Sequence, residues 1–472
     1  MTFDPLLLSR IQFGFTVSFH IIFPVFTIGL SGFIATLLVM WQWTKKEHFQ
    51  TLARFWTKIF AVSFAMGVVS GIVLSYQFGT NWSHFSEVVG NVVGPVIGYE
   101  VLTAFFLEAT FLGVMLFGWK RVPPWLHTLS AILVAVGTCM SGFWILSANS
   151  WMQTPAGHEV IDGIAYPKDW FAIVFNPSFP YRFMHMMTGA YLTTSVVVLA
   201  VGARYLLVQR FVEEAKTMVR MGLGMVILLA PLQAYIGDLH GLNTAKYQPT
   251  KLAAIEAHWD GSTPADLVLF AIPDAKLEKN LYEIAIPKLG SLIVTHQWDG
   301  LFPGLLDVPK EDRPPLLSVF FSFRIMVGIG LFLIALGLLG GLLWLTKHLF
   351  TNRFFLWTAG HSWPLGFVAI LAGWMVTESG RQPWIAHGIL RTADAVSPVD
   401  GLSVAISLAL FVFVYSVVFS TGILYIRKMI KKGPTGAAIA PKPDDGAAAL
   451  PNRPLSAAQD SARESFEGGA VI

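Results

Sequence analysis

The chain has 472 residues, 54% of them hydrophobic and only 13% charged, with a net charge of +3 and a mean hydropathy of +0.60. Soluble domains carry about 25% charged residues, so the composition indicates an all-α polytopic membrane protein, and its small net charge points to no nucleic-acid partner. One cysteine, Cys139, excludes disulfides and cysteine-ligated metal centres within the chain.

Met1 to Ile11 lacks the basic segment and cleavage site of a signal peptide. Nine apolar runs follow, each long enough for a hydrocarbon core that takes about 20 residues. They lie at roughly 11–42, 56–78, 95–118, 125–147, 183–208, 219–237, 316–346, 362–379 and 403–426. Lys45, Lys46, Arg54 and Lys58 follow the first, Lys120 and Arg121 the third, and Arg210, Lys216 and Arg220 the fifth. Lys347 and Arg353 follow the seventh; Arg427, Lys428, Lys431 and Lys432 follow the ninth. Loops 79–94 and 148–182 hold almost no Lys or Arg. The positive-inside rule then expects a periplasmic N-terminus and a cytoplasmic C-terminus.

Four regions result. Residues 1–237 carry spans one to six, and 238–315 form a periplasmic loop of short helix and coil. Residues 316–432 carry spans seven to nine. Residues 433–472, rich in Ala, Pro, Gly and charge, are expected to be a disordered cytoplasmic tail. No internal repeat is visible, which weakens a transporter reading.

Gly373 to Trp384 ends the eighth run. A carboxylate there, Glu378, costs roughly 2.5–3.5 kcal/mol at mid-helix, so it needs a partner or a task. Gly380 and Pro383 end the helix, and Arg381 follows three residues after Glu378. A plain Glu–Arg pair closing a helix end is the simplest account. Four other unusual side chains share its depth, however. His20 lies about nine residues into span one, ~14 Å along the axis. Glu100 and His185 lie near the outer ends of spans three and five, and Met326 a third of the way down span seven. Each alone has an ordinary reading as a packing or helix-bridging residue. Together, two histidines, a methionine and two carboxylates with one cysteine match haem ligation, and His plus Met is a low-spin axial pair. Arg324 and Arg381 suit the haem propionates.

Glu100 and Glu108 stand about 12 Å apart and about 80° apart around an ideal helix. That separation is too large for direct proton sharing and suits a water-linked relay. Ser141, at similar depth, offers a hydroxyl; its ordinary reading is helix packing.

Several stretches resemble one family. These are Leu8 to Phe13 with His20, Gln77 to Ser83, Glu100 to Glu108, Ser147 to Gln153, Lys251 to Glu256, Phe323 to Val327 and Gly380 to Trp384. In this order they are similar to subunit I of the cytochrome bd-type quinol oxidases. The resemblance implies His185 and Met326 as axial ligands of a low-spin haem b. It implies His20 and Glu378 as ligands of two further haems, a high-spin haem b and a haem d or b, where oxygen is reduced. It places Glu100 beside that pair, Glu108 and Ser141 on the proton path, and Trp374 between haems. Lys251 and Glu256 match quinol-site residues of an external loop called the Q-loop. The short Glu256–Arg324 segment resembles the short-loop, cyanide-insensitive branch. Implied partners are ubiquinol or menaquinol, oxygen, the lipid of a bacterial inner membrane, a second subunit and a small single-helix subunit. The expectation is therefore an electrogenic, non-pumping quinol:oxygen oxidoreductase. Two rivals remain open: a proton-coupled transporter, and a haem electron-transfer subunit without oxygen chemistry.

Overall fold

The computed structural model describes residues 4–434. The first helix, α1 (Pro5–Thr44), is started by Asp4, whose carboxylate accepts from the Leu6 N–H at 2.9 Å, with Pro5 in the first turn. It is followed by α2 (Glu47–Thr80) and α3 (Ser83–Tyr99). A π-helical segment, Glu100–Phe105, joins α3 to α4 (Phe106–Phe117). Next come α5 (Pro124–Gln153), the hairpin β1–β2 (His158–Ile161, Ile164–Pro167) and the short α6 (Trp170–Val174). The long helices α7 (Phe179–Leu207) and α8 (Val212–Tyr247) lead to the short α9 (Pro249–Glu256). A second hairpin, β3–β4 (Leu267–Asp274, Lys279–Ile286), precedes the short α10 (Leu289–Thr295) and the long α11 (Leu316–Leu345). The chain closes with α12 (Arg353–His361), α13 (Leu365–Gly380), β5–β6 (Trp384–Ala386, Leu390–Arg391) and α14 (Gly401–Lys432).

Among the described residues, eight helices are long and apolar enough to cross a membrane, or nine if α12 and α13 form one span bent by 42°. Pro364 sits at that break and cannot continue the helical hydrogen bonding. The most apolar stretch of α7 is 83% buried and that of α1 is 72% buried, against 17% for α14. The bundle is therefore built around α7 and α1. Gly202 and Gly222 let α7 and α8 approach backbone to backbone: a Cβ on Gly222 would stand 2.8 Å from the Leu199 nitrogen.

Among the described residues the fold is mostly helical, with three two-stranded hairpins in the connections. In β3–β4, runs of branched and aromatic residues flank a turn in which Asp274 accepts from the Lys276 and Leu277 N–H groups. In addition, α8 runs past residue 237 to Tyr247, so the following loop begins with helix. Most of the expected tail lies outside the described residues.

Candidate functional site

A cavity of about 360 Å³ lies among α7, α8, α11 and α13, with α9 across one end. Its wall includes His185 of α7, Met326 of α11 and Trp374 of α13; its end includes Lys251 and Glu256 of α9. Two glycines leave room for the first two side chains. A Cβ on Gly237 would lie 3.3 Å from the His185 ring, and one on Gly373 would lie 3.0 Å from Met326 Sδ. Gln233 donates to the His185 carbonyl at 3.0 Å, and the His240 ring centre lies 5.6 Å from that of His185.

Beside the cavity is a dense charged cluster. Arg182 donates to Ser150 Oγ at 3.1 Å and to Asn149 Oδ1, and lies over the Trp374 ring at 5.9 Å. Asn149 donates to Glu378 Oε1 at 3.1 Å, and Arg381 pairs with Glu378 Oε2. Lys251 Nζ donates to Gln153 Oε1 at 2.6 Å and to Gln248 Oε1 at 2.5 Å. Arg182, Lys251 and Arg381 are only 6%, 5% and 4% exposed. Three buried cations thus surround one carboxylate, and Arg381 Nε and Nη1 have no protein partner. Buried donors without acceptors are costly, and the Arg381 Nε and Nη1 groups leave the cluster short of acceptors. Burial holds the Lys251 ammonium well below the usual lysine range, with Arg182 and Arg381 pushing the same way.

Glu256 faces Arg324 at 3.2 Å. Burial raises the Glu256 carboxyl above its ordinary range, and Arg324 opposes that rise. The remaining Arg324 donors go to the Val268 carbonyl, at 2.7 and 3.1 Å, and to the Ile255 carbonyl. Arg324, expected at a propionate, here faces Glu256 and the loop backbone, where α9 and β3 pack directly against α11.

His20 lies on the face of α1 turned to α2, with Nδ1 3.0 Å from Ser70 Oγ. Ser70 also donates to the Met66 and Gly67 carbonyls at 3.0 Å. Ser70 thus orients the His20 ring against α2 through Nδ1.

Ser141 Oγ donates to Glu100 Oε1 at 2.7 Å. Glu108 packs on Gly137, where a Cβ would stand 2.8 Å from its Cγ, and its Oε1 has no partner. Gly137 and Ser141 are one turn apart on α5, so both carboxylates face the same stripe of that helix. The expected 80° offset is corrected by the π segment between them. One extra residue in a turn shifts the phase by roughly 100°, returning Glu108 to the face of Glu100.

The sequence from residue 8 to 434 matches the family model described as cytochrome bd terminal oxidase subunit I. The chain belongs to that family. It is 38% identical over 444 residues to cytochrome bd ubiquinol oxidase subunit 1 of Bacillus subtilis (strain 168), covering 91% of this chain and 94% of that protein. It is 32% identical over 502 residues to cytochrome bd-II ubiquinol oxidase subunit 1 of Escherichia coli (strain K12), covering 92% and 97%. The bd oxidase structure from Geobacillus thermodenitrificans superposes with a TM-score of 0.85 at 31% identity, covering 92% of this chain and 99% of that one. Membership supports a terminal quinol oxidase role, with haem cofactors, in a multi-span protein of the bacterial inner membrane.

Haem fits the residues present. Among the described residues no group of three or more His, Cys, Asp and Glu side chains is set to hold a bare metal ion. A haem iron asks the chain only for axial ligands, and the unpartnered Arg381 donors suit a carboxylate edge. Sequence reasoning missed Arg182, Asn149, Gln153, Gln233 and His240. Arg182, three residues before His185 in an apolar run, was a visible signal. Asn149 and Gln153 sit inside a recognised motif but carry no charge to draw attention.

Proposed function

We propose that this chain is the haem- and quinol-binding subunit of a terminal oxidase that oxidises quinol at the periplasmic face and reduces oxygen to water with protons from the cytoplasm. One cavity carries this reading, because the same space touches His185 and Met326 on its wall and Lys251 and Glu256 at its end. His185 and Met326 would hold a low-spin haem b, and His20 and Glu378 would hold a high-spin haem b and a third haem, d or b. Bound haem supplies one-electron transfer and the oxygen-binding iron.

The chain's own groups do the rest. Lys251 and Glu256 hold the quinol head group, and Glu256 takes a hydroxyl proton on its carboxylate and releases it to the periplasm. Arg324 fixes the orientation of Glu256. Arg182 and Arg381 balance the carboxylates of the cofactor. Glu108 passes protons to Glu100, with Ser141 between them in hydrogen-bond reach of Glu100. Two quinols deliver four electrons per oxygen, and four protons are taken up from inside, so charge separates without a pump. The short segment between Glu256 and Arg324 favours the short-loop branch. The "subunit 1" in the relatives' names implies a second subunit; a small single-helix subunit is a further candidate partner.

The test is the purified complex with ubiquinol or menaquinol. Expected are a pyridine haemochrome spectrum with haem b, and oxygen uptake dependent on quinol. Haem without quinol-driven uptake would leave the electron-transfer reading; a missing Soret band would leave the transporter.

A further inference from the structure

The β3–β4 hairpin carries an outward face made of Leu269, Phe270, Ile272, Tyr282, Ile284 and Ile286. Bulges between Val268 and Ile272 break strict alternation, so Leu269 and Phe270 both lie outward while Val268, Ala271 and Ala285 turn inward onto Phe320 and Phe321 of α11. The Phe270 ring at the edge of the patch reaches Phe321. The outward set is unusually bare. Tyr282 is 80% exposed and Ile284 61%, and Phe270 pairs with Ile284 across the ladder. So many bare apolar side chains on one hairpin, with Glu283 the charged residue between Tyr282 and Ile284 of β4, mark an interaction surface.

The height of the hairpin identifies what covers it. It is fastened to α11 through the Arg324 guanidinium, which donates to the Val268 carbonyl, and through Phe270, whose ring centre lies 6.1 Å from that of Phe321. The other end of α11 reaches its interface at Trp344 and Leu345, just before Lys347. A hydrocarbon core of about 30 Å takes roughly 20 residues. Counted back from Leu345, it ends near Ile325. Arg324, Phe321 and Phe320 therefore stand at the boundary between hydrocarbon and head groups, and the hairpin stands with them. Ile325, the residue at which that count ends, is itself exposed. Tyr282 is a ring with a polar tip, the side-chain type enriched at that boundary.

We infer that the β3–β4 hairpin is a lipid-seated element whose outward face lies in the head-group boundary of the bilayer on the side of α9. The seat has a mechanical consequence, because the same Arg324 that holds β3 also holds Glu256. The lipid surface thus fixes the height of the proposed quinol helix. The inference goes beyond the proposed activity and does not depend on it.

The test uses the complete oxidase in proteoliposomes, oxidised and without quinol. On a Cys139→Ser background, nitroxide is attached at Ile284→Cys and at Tyr282→Cys, with the exposed Glu311→Cys as an aqueous reference. An unchanged haem spectrum verifies each fold. Collision with dissolved oxygen, which concentrates in lipid, is compared with collision with a water-soluble nickel chelate. Oxygen is expected to dominate at residues 282 and 284 by several-fold and the chelate at 311. Equal chelate access at 284 and 311 would overturn the inference by placing the face in water. Shielding of 284 from both reagents would overturn it by placing a protein there, whether the second subunit or another copy.

Discussion

Arg324 and Glu256 meet at 3.2 Å between a long membrane helix and a helix of eight residues that lies across the cavity end. The pair is the only charge-paired contact of Glu256 among the described ion pairs, and Arg324 also ties β3 to the same point. Removing either partner leaves a buried charge alone.

Arg324→Met is expected to lower the stability of the loop by roughly 3–5 kcal/mol, the usual cost of breaking a buried pair from one side. Arg324→Lys is expected to rescue little, since one ammonium cannot reach Glu256 and two carbonyls in the geometry of a fork. Limited proteolysis of the 257–315 loop, read against an unchanged haem spectrum, measures this. Wild-type protease resistance in Arg324→Met would show that the pair does not hold the loop.

Glu256 also sets a pH dependence. Its carboxyl is raised by burial, with Arg324 opposing. As pH falls through this raised value the carboxylate takes a proton and can no longer accept one from quinol. Quinol oxidation should therefore fall on an acid limb centred above the ordinary carboxyl range of about 4.3. In stability the sign is opposite: the protonated form is favoured by folding, so this contribution is present at low pH and lost as pH rises through the raised value. Glu256→Gln is expected to slow quinol turnover by roughly 100-fold or more and to abolish the acid limb, while chemically reduced haems still react with oxygen. An acid limb that survives in Glu256→Gln belongs to another group.

The outline of this site was legible in the sequence for a simple reason: charged and ligating side chains stand out against membrane helices. Glu378, Arg381, His185 and Met326 could all be picked out that way, and the end of α13 at Gly380 followed from Gly and Pro alone. The connections were less legible. The β3–β4 strands are short, and their outward apolar residues break the polar alternation that marks a strand in water. The π segment at Glu100 has no sequence marker, so a helical wheel rotated Glu108 away from its true face. Arg324 was assigned by its neighbour Met326, whereas its contacts are set by α9 and β3, which are distant in sequence. Arg182 shows the same limit, since its partners Asn149 and Ser150 come from another helix.

Met326→Leu keeps the packing volume and removes the sulfur. The low-spin haem b is expected to become high-spin or to fall in potential, because thioether ligation raises it. Gly373→Ala offers a subtler version, placing a methyl 3.0 Å from Sδ and displacing the thioether without deleting it. A graded change in the low-spin spectrum, larger for Met326→Leu than for Gly373→Ala, is the expected result. Wild-type spectra and midpoints in both would remove Met326 from the ligand set.

Glu108 provides the sharpest test of the proton path. It is buried, its Oε1 has no partner, and it shares one stripe of α5 with Glu100, whose Oε1 accepts from Ser141 at 2.7 Å. A carboxyl held there without a counter-charge has one evident use, to take and give a proton through water along that stripe. Glu108→Gln keeps the volume over Gly137 and the capacity for hydrogen bonds but carries no exchangeable acid. Haem content and reduction by quinol should stay near wild type. Oxygen turnover and the membrane potential should fall together, by roughly 100-fold in rate if transfer through Glu108 is obligatory. Ser141→Ala is expected to act in the same direction but more weakly, since it removes one donor to Glu100 rather than a proton carrier. In a single turnover with oxygen, electrons should arrive normally while proton uptake from the inner side lags. Wild-type turnover with full potential in Glu108→Gln would move the relay elsewhere, and Glu108 would then be a contact between α4 and α5.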